Sequence, residues 1–116
     1  MKLLRALVSV LAVAGWLGQA SAMNLREFRL LDEAKEPSSN YAQYYLVGLL
    51  EGALEANGTS VRQGAKPLFC VNGRRLDPSM AQSLFKAELR RNSDVYEADM
   101  PAQLVMVNAL ASAYTC

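Results

Sequence analysis

The chain has no histidine, so the usual general base of catalysis and the commonest metal ligand are both missing. Its serines fall in no GxSxG pattern, which excludes the strand-turn-helix nucleophile elbow. The glycines are scattered, without the lysine and serine or threonine that complete a phosphate-cradling loop. Cysteine is scarce, with only Cys70 and Cys116 and no CxxC motif, which argues against redox or metal chemistry. Charge of either sign is not in excess, the formal balance being +1, so nothing marks nucleic acid or an anionic membrane surface as a partner. No apolar run is long enough to span a bilayer: the stretch from Ala6 to Leu17 falls short of the ~20 residues required, and polar Gln19 and Ser21 follow it. These absences predict no cofactor, no metal and no enzyme, leaving a protein that acts by binding.

What is present begins with a leader. Lys2 and Arg5 precede the apolar run, and Ala20-Ser21-Ala22 supplies small residues for cleavage, the pattern of a secretory signal peptide over residues 1–22. The run holds no cysteine to accept a lipid. The expected mature chain is therefore one domain, residues 23–116, free of the membrane and exported to the periplasm. It carries ten basic and eleven acidic side chains. A domain of that size has a marginal core, so a covalent staple matters. Two cysteines in an oxidising compartment allow one connectivity, Cys70 to Cys116, and closing a loop of that span contributes roughly 4 kcal/mol in the chain-entropy account.

Four segments carry helical signals. Asn24 and Glu27 have capping-box spacing, and Leu25, Phe28 and Leu31 share a face, which predicts a helix over 25–35. Glu36-Pro37 breaks it. From Ser39 to Ala56 a stripe of Tyr41, Tyr44, Tyr45, Gly48, Leu49, Gly52, Ala53 and Ala56 predicts the longest helix, ended by Asn57-Gly58. Each interior glycine costs about 1 kcal/mol relative to alanine. Gly48 and Gly52 are therefore expected to lie under a closely packed neighbour, with Tyr41 and Tyr45 as packing residues beside them; the same stripe offers a symmetric patch for a homodimer. Asp77-Pro78 starts a third helix with Ala81, Leu84, Phe85 and Leu89 inward, and Asp99-Met100-Pro101 starts a fourth with an inner stripe of Leu104, Val107, Asn108, Ala111 and Tyr114.

Residues 57–76 form the least regular stretch, anchored at its centre by Leu68, Phe69, Cys70 and Val71, with Asn72-Gly73 as a simple turn. Arg62, Lys66, Arg74 and Arg75 stud it and make a candidate basic face for an acidic partner. Asn57-Gly58-Thr59 also matches a glycosylation sequon, a triplet common by chance. The expected fold is all-α, a small four-helix bundle stapled by one disulfide.

The order Tyr45-Leu46-Val47-Gly48-Leu49-Leu50-Glu51-Gly52, Phe69-Cys70, a helix from Asp77 carrying Leu84 and Leu89, then Pro101 and a helix closing on Cys116, resembles the Rap/Tai-type immunity proteins of bacterial type VI secretion. The chain has Val71-Asn72 and Tyr114-Thr115 where that family often carries proline. The resemblance implies a periplasmic inhibitor whose partner is a secreted peptidoglycan amidase effector. Two rival readings share the fold, a periplasmic acid-stress chaperone and an orphan envelope protein without a toxin partner.

Overall fold

The computed structural model describes residues 22–116, so the predicted leader, but for its last residue Ala22, falls outside the described residues. Within them the chain forms four helices: α1 (Leu25–Glu33), α2 (Ser38–Arg62), α3 (Met80–Arg91) and α4 (Ala102–Ala113). The only strand-like pairing among them is an isolated bridge between Asn24 and Pro101. The fold is thus a small all-α bundle with one disulfide, Cys70–Cys116, whose Cα atoms lie 4.8 Å apart.

Helix α1 starts as its capping box requires. The Glu27 N–H donates to Asn24 Oδ1 at 2.9 Å and the Asn24 N–H donates to Glu27 Oε2 at 3.2 Å. Two further free amides at that end find carbonyls in the α3–α4 connector, Leu25 N–H to Met100 O and Arg26 N–H to Ala98 O, both at 2.9 Å. In return the Ala102 N–H donates to Met23 O, so the starts of α1 and α4 satisfy each other's backbone.

Helix α2 is the spine, in contact with α1, α3 and α4, while α3 and α4 also pack together. Its 25 residues span about 37 Å at the usual helical rise. Ala42, Leu46 and Leu50 form its buried line. They meet Leu25 and Phe28 of α1, Phe85 of α3, and Val105, Met106 and Leu110 of α4 in one core. Phe28 and Phe85 stack tilted, with centroids 4.9 Å apart.

The structure corrects three expectations. The inward line of α2 is Ala42-Leu46-Leu50, not the tyrosine and glycine stripe. Tyr41 is 59 % exposed and Tyr44 73 %, Gly48 and Gly52 face solvent, and a Cβ on either glycine would meet nothing within 4 Å. Of the predicted packing residues Tyr41, Tyr45, Gly48 and Gly52, Tyr45 alone rests against the core, half-buried, and Leu49 and Ala53 of the wider stripe do the same. A one-residue offset turns a helix face by about 100°, and tyrosine and glycine, counted as apolar, shifted the stripe so that only its Tyr45, Leu49 and Ala53 edge borders the buried line.

Helix α4 shows a similar offset: Ala102, Val105, Met106, Ala109 and Leu110 are buried, whereas Leu104 is exposed. Tyr114 is buried as expected. Finally, α2 passes through Asn57-Gly58 and ends at Arg62, where the Ala65 N–H reaches Ser60 O and the Gly64 N–H reaches Val61 O. Gly64 has φ +93°, the left-handed residue of a Schellman cap.

Candidate functional site

The segment 63–79 that links α2 to α3 has no helix or strand of its own, yet it is held at four points. Phe69 is buried in the core. The Asn57 side chain acts as a backbone surrogate: Nδ2 donates to Phe69 O at 2.9 Å, and Oδ1 accepts from the Leu68 N–H at 2.8 Å. These bonds account for α2 running through Asn57, since the two contacts offset the weak helical preference of asparagine and glycine. They also occupy the sequon's amide on a helix, a position unsuited to glycosylation. Third, Cys70 is bonded to Cys116, and its N–H donates to Tyr114 O at 2.7 Å. Fourth, Asn72 and Gly73, at φ 54° and 74°, turn the chain sharply, with the Arg74 N–H on Val71 O. Two successive positive φ values suit an Asn-Gly pair.

Between this segment and the last turns of α2 lies a groove of about 640 Å³. Leu54, Phe69, Val71 and Leu76 give it an apolar floor, and Arg74 and Arg75 stand at its rim. Arg74 lies over the ring of Tyr114, 5.3 Å from its centroid, a cation–π contact that positions the guanidinium. No carboxylate lines the groove. Among the described residues the ion pairs are Arg62–Glu55 at 2.7 Å and Lys86–Asp32 at 3.3 Å, so Arg74 and Arg75 have no acidic partner there.

The predicted basic face is therefore divided. Arg74 and Arg75 sit together at the groove. Arg62 belongs to the last turn of α2 and is spent on Glu55 Oε1 and Thr59 Oγ1, and Lys66 is exposed without lining the groove. The Glu55 carboxyl is held below the usual range first by its bond from Arg62, then by the one from Thr59. Nothing in the sequence pointed directly to Asn57, Leu54 or Tyr114 as builders of this site. The best hint was the clustering of an apolar anchor, an Asn-Gly turn and two arginines within seven residues, Phe69 to Arg75.

A second polar cluster lies inside the bundle. Glu88 of α3 is only 3 % exposed. Its Oε1 accepts from Tyr96 Oη at 2.6 Å and Asn92 Nδ2 at 3.0 Å, and Asn108 Nδ2 of α4 donates to Tyr96 Oη at 3.0 Å. Glu88 Oε2 is buried without a partner. Burial, followed by the bond to Glu88, pushes the Tyr96 hydroxyl above the ordinary tyrosine range. This network joins α3, the connector and α4. Among the described residues no three His, Cys, Asp or Glu side chains converge as a metal site, and no helix is long and apolar enough to cross a membrane.

The chain matches no protein-family model, no curated protein and no solved structure.

Proposed function

We propose that the protein is an exported inhibitor that binds another protein through the groove between α2 and segment 63–79, and that its partner is a secreted peptidoglycan amidase. One observation carries the binding reading: an apolar groove stands preformed, rimmed by two arginines that have no acidic partner among the described residues. A recognition surface held in place by a disulfide and by the Asn57 bonds loses little freedom when a partner docks, which favours affinity. The Cys70–Cys116 bond fits an oxidising compartment, and the leader-like residues 1–22 supply the route there. The amidase itself comes from the resemblance to Rap/Tai-type immunity proteins, whose exported helical members inhibit such enzymes.

The test is an affinity column of the oxidised mature chain, challenged with envelope extracts from its own cells and from toxin-producing ones. Stoichiometric retention of a cell-wall amidase, with loss of its activity, is the expected result. Many weakly held clients, retained only at acid pH, would replace the inhibitor reading with a chaperone.

A further inference from the structure

We infer that the groove receives an extended, internal segment of the partner protein, with an apolar side chain on the floor and a single aspartate or glutamate beside it on Arg75. This deepens the protein-binding reading above and rests on it.

The trough is open to solvent, whereas small-molecule sites enclose most of their ligand. It therefore suits a chain segment lying across it. A second depression lined by Arg75, Leu76, Asp77 and Pro78 shares Arg75 and Leu76 with the first. The surface thus runs past Arg75, with room for a chain on both sides of it. That favours a passing segment over a chain end, whose carboxylate would stop at the arginine.

The chemistry of the walls sets the order of side chains. Leu54, Val71 and Leu76 are half-buried and offer apolar surface for an anchor, while Phe69 lines the groove but is itself buried; apolar anchors seated in such pockets dominate interface energies. Arg75 offers a planar guanidinium suited to bidentate carboxylate binding. Beyond it, Asp77 places a negative charge in the second depression, its Oδ1 accepting from the Ser79 N–H. A second acid there meets like charge, so the preferred segment reads apolar, acidic, then neutral or basic. The mature chain's near-balanced charge leaves these local groups to decide selectivity.

The experiment is selection from a library of random octapeptides displayed between two folded domains, so that neither peptide end is free, followed by titration of synthetic end-blocked winners. Enrichment of an apolar residue within two positions of Asp or Glu is expected. Arg75→Gln, at an exposed site, should weaken such a peptide about tenfold and leave its Glu→Gln counterpart unchanged. Absence of enrichment, equal loss for both peptides, or tighter binding of a version with a free carboxyl end would overturn the inference. If amidase inhibition survives Arg75→Gln, the inhibitor stands and the groove assignment falls. If the peptides behave as expected and no amidase is inhibited, the groove stands and the amidase falls.

Discussion

Glu88 keeps one carboxylate oxygen buried with no donor among the described residues. Its other oxygen depends on Tyr96 and Asn92. Tyr96→Phe removes the shortest of these bonds and also the acceptor that Asn108 uses. Leaving buried polar groups unpaired costs about 1–3 kcal/mol; urea unfolding should show a loss in that range, and a change near zero would mean that the network contributes nothing. The pH dependence follows from Tyr96 and Tyr45, both pushed above the ordinary range, chiefly by burial, with Glu27 adding to Tyr45. A raised value means the folded state favours the neutral hydroxyl. That contribution is complete below about pH 10, the unfolded value, and is lost as pH rises through the folded ones. Unfolding free energies measured from pH 8 to 11 should fall at the alkaline end, less steeply in Tyr96→Phe. Glu88 was missed in the sequence, although it follows Ala81 by seven and Phe85 by three, on the buried face of α3. A charged residue in that register announces a buried partner, but nothing local names Tyr96 or Asn108, which arrive through tertiary packing.

At the scale of the element, starts and stops divide by how local their causes are. The capping box of α1 and the Asn72-Gly73 turn were legible because their partners lie within three residues. The end of α2 was not, because two glycines could terminate it and the deciding bonds come from Leu68 and Phe69, eleven and twelve residues away. Asn57→Ala should therefore loosen segment 63–79, at a cost of about 1–3 kcal/mol for the lost pair, with faster hydrogen exchange at the Leu68 amide; unchanged exchange would show that Phe69 and the disulfide suffice. The outer face of α2 gives the opposite prediction. With nothing near Gly48 or Gly52, alanine at each should raise stability by about 0.5–1 kcal/mol, through helix preference alone. Destabilisation or a change in oligomeric state would restore the expectation that a second backbone packs on that face.

The whole molecule turns on one covalent closure. Cys70 and Cys116, 46 residues apart, tie the end of α4 to the loop that walls the groove. The same closure places Tyr114 beneath Arg74 and against the Cys70 amide. Replacing both cysteines by serine should remove about 4 kcal/mol, a large share of the ~5–15 kcal/mol typical of a domain, and should weaken partner binding beyond that by freeing the rim. The all-α class and the disulfide were legible from two cysteines, four periodic segments and their caps. The groove was not, since it joins Leu54 to Leu76 across a loop without periodicity. The most direct measurement of the proposed function is inhibition of a secreted peptidoglycan amidase by the oxidised chain 23–116 and by its Arg74→Gln/Arg75→Gln variant. Full inhibition at one equivalent of the natural chain and at least tenfold weaker inhibition by the variant are expected; equal inhibition by both, or none by either, would contradict the proposal.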